Sequence, residues 1–124
     1  MDTSDVYDLI IIGAGPAGLT SSIYASCFHL KHLVIGNRIG GQLELAPHIL
    51  NYPGYKNISG RELTQKLTEQ VEAMRGKIVV ESVTRISVIS HPDEAEDHPN
   101  PGQYPVSKRN ADGYELETNQ GKKY

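Results

Sequence analysis

Tyr7-Asp8-Leu9-Ile10-Ile11-Ile12-Gly13-Ala14-Gly15-Pro16-Ala17-Gly18 decides how this chain is read. The apolar run Tyr7 to Ile12 is too short for a typical helix, rich in β-branched residues and closed by a glycine. It predicts a buried parallel strand. From Ala17 to about His29 the pattern turns helical, with Ile23, Ala25 and Cys27 among the apolar positions. His32-Leu33-Val34-Ile35 is a second short apolar run, ended by Gly36-Asn37. Strand, glycine turn, helix and strand make a βαβ unit, so the fold class is α/β with a central parallel sheet.

The turn Gly13-x-Gly15-x-x-Gly18 has the spacing of a dinucleotide fingerprint, and it sits between a strand and a helix as that fingerprint requires. Gly13 permits the tight turn out of the strand. Gly15 leaves room for a pyrophosphate to approach the backbone, and Gly18 lets the helix pack close to the strand. The helix N-terminus offers free N–H groups and partial positive charge to an anion. Pro16 fits near the first helical position, where no donor is lost. The bland reading is a glycine-rich strand-to-helix turn without a ligand. The fingerprint's second part is missing. An acid about 20 residues on ordinarily takes the ribose hydroxyls, but Gly36-Asn37-Arg38 stand there. Asn37 can hydrogen-bond a ribose without charge. Arg38 suggests the rival, because a neutral residue beside an arginine is how such folds accept the extra phosphate of NADP. The motif leaves FAD and NADP both open.

Composition bounds the rest. A chain of 124 residues makes about one domain. With 22% charged and 38% hydrophobic residues it is not a charge-rich disordered tail. No apolar run reaches the roughly 20 residues of a membrane span. The Met1-Asp2-Thr3-Ser4-Asp5 start has no basic region of a secretory signal, so a cytoplasmic location is expected. A net charge of -3 is no footprint for nucleic acid. The single cysteine, Cys27, excludes an internal disulfide, a CxxC pair and a cysteine-rich metal site within this sequence. Cys27 is expected to be a buried structural residue. The five histidines have no metal-ligand spacing, so no metal site is expected.

Between Gly36 and Ser59 periodicity fades into a long loop with Gly40-Gly41-Gln42, Pro47 and Asn51-Tyr52-Pro53-Gly54. Interleaved aromatic and aliphatic residues favour an ordered binding loop there. Ser59-Gly60-Arg61-Glu62 is a capping box. Leu63, Leu67, Val71 and Met74 then mark one face of a helix, with Gly76 as its stop. Ile78-Val79-Val80 predicts a third strand, and Arg85 to Ile89 a fourth with Ile86 and Val88 on one side. Residues 91–112 carry four prolines and an acidic group, which reads as an exposed loop insertion. His91 to His98 within it is a polar cluster, read as solvated. Tyr114 to Thr118 predicts a hairpin-type strand, and Asn119-Gln120-Gly121 a turn with no strand visible beyond it.

The ordered set GAGPAGLTSSIYAS, IGGQL, NYPGY and ISGRELTQKLTEQVE resembles the N-terminal part of low-molecular-weight thioredoxin reductases, over roughly residues 6 to 90 and more weakly 113 to 124. The resemblance implies a Rossmann-like FAD-binding half-domain: a parallel sheet with helices on its faces and a small β-meander. It favours FAD over NADP as the cofactor. By resemblance, Gly13, Gly15, Pro16, Ala17 and Gly18 would meet the FAD pyrophosphate, and Gly36 and Asn37 the adenosine ribose. Gly40, Gly41 and Gln42 would line the ribityl and flavin region. Asn51 would approach the isoalloxazine ring, and Val83 would offer backbone groups to the adenine. Tyr52 and Tyr55 either pack against the flavin or cover the helix starting at Gly60.

In that family NADPH reduces FAD, and the flavin passes electrons to a CxxC disulfide. The strand that closes the domain, the second GxGxxG/A turn for NADPH, the CxxC and the Gly-Asp turn to the flavin have no counterpart here. Residues 1–124 are therefore expected to be a partial FAD-binding domain without catalytic residues, inactive alone and prone to self-association through an open sheet edge. The alternatives are a stand-alone flavin-binding subunit, completed by a second copy or another chain, and an NADP-binding Rossmann fragment.

Overall fold

A computed structural model of the chain describes residues 6–90 and 112–124. The order is β1 (Leu9–Ile12), α1 (Pro16–Cys27), β2 (His32–Gly36), a short 3-10 turn (Gly41–Leu45), α2 (Gly60–Ala73), β3 (Ile78–Val80), β4 (Val83–Ile89) and β5 (Gly113–Thr118). β1, β2 and β3 form a parallel sheet with β2 in the middle. β4 and β5 form a separate antiparallel pair, with a register shift between Val83 and Arg85. The α/β class and the βαβ start are as the sequence predicts.

β2 is buried from His32 to Ile35 because both of its faces are covered. On one side Leu19 of α1, Ile58, and Leu63, Leu67 and Val71 of α2 form a core, with Ile78 packed against it. On the other, Leu33 and Ile35 meet Leu116 of β5, with Val83 and Tyr124 around them. The layers are therefore helices, parallel sheet and antiparallel pair. Alternate β2 side chains serve the two cores, since successive residues of a strand point to opposite faces.

The strand at Tyr7 to Ile12 is parallel but not buried, which corrects the expectation. Leu9 is 37% and Ile12 52% exposed. β1 pairs only with β2 among the described strands, so its outer edge meets none of them. Cys27 is likewise exposed, not buried. The inward positions of α1 are Leu19, Ser22 and Ala25, and helical spacing turns Cys27 away from that face. α1 stops at Cys27, two residues before the expected end, and His29 then adopts a left-handed φ of 57°. Histidine is among the residues that tolerate this conformation. Buried Ser22 finds a partner in buried His32, with Oγ 2.7 Å from Nε2. The His32 Nδ1 lies 2.9 Å from the Leu30 carbonyl, which only accepts, so Nδ1 donates there and, in the neutral ring, Nε2 accepts from the Ser22 hydroxyl.

α2 follows its capping signal: Ser59 Oγ accepts from Glu62 N at 3.1 Å. Its stop differs from the glycine expected there. Arg75, with φ 66°, is the left-handed residue. Gly76 serves packing instead, because a Cβ on it would stand 2.7 Å from both Ser22 Oγ and a Val71 methyl. The long loop after β2 is more ordered than periodicity suggests. It holds the 3-10 turn and an antiparallel bridge between Ile49 and Ile58. β4 begins at Val83, earlier than expected, and β5 at Gly113. The turn at 119–121 does lead somewhere: Leu116 and Tyr124 exchange two 2.9 Å backbone hydrogen bonds, and Glu117 bridges Lys123. Gly121, with φ 71°, makes the return possible. The expected insertion at 91–112, with the His91–His98 cluster, lies outside the described residues except for Asp112. Asp112 N donates to Ile89 O at 2.8 Å.

Candidate functional site

The C-terminal ends of parallel strands and the loops leaving them form the crevice where open α/β sheets hold ligands. Here that end is built around the Gly13–Gly18 turn. Gly13 leaves β1 with φ 113°, and its N–H donates to Ile35 O at 2.7 Å, tying the turn to β2. Gly18 is required by packing: a Cβ there would lie 1.8 Å from the Gly13 carbonyl oxygen. Gly15 is required by neither. The nearest atom to a Cβ on it is Gly40 O at 3.9 Å. Its missing side chain therefore leaves free space above the start of α1.

Gly15 is the N-cap of α1 and Pro16 follows it in the first turn. No side chain caps these N–H groups and no acidic residue sits in the first turn. Uncapped donors at the positive end of a helix dipole suit an anion. The Gly40-Gly41 turn stands directly against this point. Gly40 N donates to Ala14 O at 2.7 Å, and a Cβ on Gly41 would be 3.6 Å from Gly15 Cα. Gly40, with φ 89°, is also hemmed in by Thr64 of α2, 2.5 Å from where its Cβ would be.

Beside the turn lies a cavity of about 230 Å³ lined by Ile12, Gly13, Ile35, Gly36, Asn37, Glu81, Ser82 and Val83. It gathers Gly13, Gly36, Asn37 and Val83, four residues singled out from widely separated parts of the sequence. Gly36 can hold no side chain, because a Cβ would stand 2.6 Å from Ala14 N. Gln42 lies exposed in the 3-10 turn next to Gly41. Asn51 is apart from this cavity, in an open depression of about 450 Å³ lined by Leu50 to Lys56. Tyr52 and Tyr55 face each other there, with ring centroids 6.2 Å apart.

Two cavity residues were missed by sequence reading. Glu81 and Ser82 follow β3 directly, and an acid immediately after an apolar strand was the available signal. Glu81 is 7% exposed, and its Oε1 is 2.9 Å from Lys122 Nζ. Oε2 is buried and accepts no hydrogen bond of regular geometry. The adjacent Thr118 hydroxyl and then Lys122 hold the Glu81 carboxyl below the usual carboxylate range, against the opposing effect of burial. Lys122 is raised in turn by Glu81. Arg38 points its guanidinium at Glu44, 3.0 Å away. Among the described residues no three His, Cys, Asp or Glu side chains gather as a metal site, and no helix is long and apolar enough to cross a membrane.

Comparison with known proteins places the chain in a family. The profile of the family described as "Pyridine nucleotide-disulphide oxidoreductase" matches residues 7–104. The thioredoxin reductase of Ureaplasma parvum is 40% identical over 85 residues, covering 68% of this chain and 28% of that protein. A ferredoxin–NADP reductase of Streptococcus sanguinis is 41% identical over 80 residues, covering 60% of this chain and 25% of that protein. The crystal structure of Lactococcus lactis thioredoxin reductase superposes with a TM-score of 0.73 at 31% identity, covering 96% of this chain and 32% of that one. The chain thus spans about a third or less of the length of these relatives.

Proposed function

The chain belongs to the pyridine nucleotide-disulphide oxidoreductase family, and on that premise we propose that it is the FAD-cradling part of a thioredoxin-reductase-like flavoprotein. One observation carries the reading. Gly15 has open space where a Cβ would stand, in front of uncapped helix donors, although no packing contact among the described residues demands a glycine there. That space suits a pyrophosphate.

The residues present fit the cofactor. Gly13, Gly15, Pro16, Ala17 and Gly18 would receive the pyrophosphate. Gly36 and Asn37 would face the adenosine ribose, and Val83 the adenine through its backbone. Gly40, Gly41 and Gln42 would border the ribityl chain and flavin, and Asn51 the isoalloxazine ring. Bound FAD would supply two-electron exchange between a nicotinamide and a disulfide. The chain's own groups bind and orient. Cys27 is the one cysteine of the sequence and stands on the outer side of α1. We therefore expect no NADPH-dependent disulfide reduction by the 124-residue chain alone.

The test is titration of the purified chain with FAD, followed by quenching of flavin fluorescence. Saturable one-to-one binding is expected, and its absence overturns the reading. The NADP alternative is disfavoured by the Arg38–Glu44 ion pair and by the Glu81 carboxylate at the cavity, neither of which welcomes a 2′-phosphate. NADPH should accordingly fail to displace FAD. The reading extends to a flavin-binding subunit completed by another chain or a second copy, since the outer edge of β1 meets no described strand. Size-exclusion chromatography in the presence of FAD tests that extension, a monomer counting against a second copy.

A further inference from the structure

We propose that the turn following β5 is a clamp that holds the adenosine-side wall of the cavity in place, with Lys122 and Asn119 as positioning residues for the nucleotide. The proposal rests on the reading of this cavity as an adenine-nucleotide site.

The wall is the short segment Glu81-Ser82-Val83, where the chain leaves the parallel sheet for the antiparallel pair. On its inner side, Glu81 N donates to Gly36 O at 3.1 Å, so the wall is tied to the end of β2. On its outer side the partners come from the end of β5, where the Thr118 hydroxyl adjoins Glu81, and from the turn after it. Ser82 N donates to Asn119 Oδ1 at 3.0 Å, and Asn119 N donates back to Ser82 O at 2.9 Å. Lys122 Nζ meets Glu81 Oε1 at 2.9 Å. The segment is thus held between Gly36 and a turn roughly 40 residues further along the chain.

The ion pair is unequal. The Lys122 side chain is 62% exposed and that of Glu81 6%. An exposed pair would do little. Here one partner is buried, and removing the lysine leaves a buried carboxylate without its counter-charge. The carboxylate then turns toward water. Because Glu81 and Ser82 both line the cavity, that movement displaces the wall beside Val83. Neither Asn119 nor Lys122 lines the cavity, so their effect on a ligand runs through Glu81 and Ser82.

The experiment measures FAD and ADP binding by calorimetric titration of the full chain for wild type, K122M, N119A and K122R, with thermal melting of each. We expect K122M and N119A to bind both ligands about tenfold more weakly, with melting temperatures within a few degrees of wild type, and K122R to bind like wild type. Wild-type affinity in K122M and N119A overturns the clamp and leaves the nucleotide site standing. Loss of affinity that tracks loss of folded protein in all three variants also overturns it, in favour of a purely structural turn. If wild type binds neither FAD nor ADP, the underlying reading falls and the clamp with it.

Discussion

The βαβ unit from Leu9 to Gly36 and the antiparallel pair of β4 and β5 use similar residues under opposite conditions. β2 is buried at every position from His32 to Ile35, whereas β4 is exposed at every position from Thr84 to Ile89. β2 lies between two layers, and among the described residues β4 has only β5 as a strand neighbour. An apolar strand residue therefore has a different energetic meaning in the two regions. Leu33 is 0% exposed, while Ile86 is 54% and Val88 61% exposed. The same contrast governs glycines: Gly18 is dictated by packing, and a Cβ on Gly15 would meet nothing closer than Gly40 O at 3.9 Å among the described residues.

The largest effect expected is at Gly18. Gly18→Val would force a side chain into the Gly13 carbonyl, and a loss of about 4 kcal/mol in urea unfolding is expected. Gly15→Val has only open space to fill, so it should fold nearly as well as wild type while losing FAD binding. If both variants lose stability equally, the distinction between the two glycines fails. Next, Leu33→Ala should cost about 3 kcal/mol, and Ile86→Ala less than about 1 kcal/mol, by the same measurement. Equal costs would show that β4 is more deeply packed than its exposure indicates. Ser59→Ala removes the acceptor for Glu62 N and should cost about 1 kcal/mol in the same assay.

The smallest effect concerns pH. Glu81 is held below the usual carboxylate range, so its contribution to stability is present above that range and fades as pH falls through the lowered value. Lys122 is raised, so its contribution is full below the usual lysine range and is lost as pH rises through the raised value. Glu81→Gln should flatten the acid side of a melting-temperature profile. A profile identical to wild type would exclude Glu81 as its source.

Much of the architecture around the candidate site was legible from residues 7 to 36. Tyr7 to Ile12 and His32 to Ile35 could only be buried or sheet-forming runs, and the glycine spacing between them suits one kind of turn. An ordered loop after β2 was expected from its interleaved aromatic and aliphatic residues, but the Ile49–Ile58 bridge within it was not, because it joins residues with no shared periodicity. Glu81 escaped notice for a similar reason. Its environment is made by Gly36, Thr118 and Lys122, which no local pattern connects to it.

The sequence by itself determined the α/β class, the glycine-rich turn from β1 into α1 and the capped second helix, since each depends on short-range sterics and hydrogen bonding within a few residues. Tertiary structure alone decided that β1 has an exposed side, that Cys27 faces outward, that Gly76 exists for Ser22 and Val71, and that the cavity wall is held from the turn after β5. Those outcomes depend on which surfaces meet across the fold, and burial is a property of the neighbour as much as of the residue.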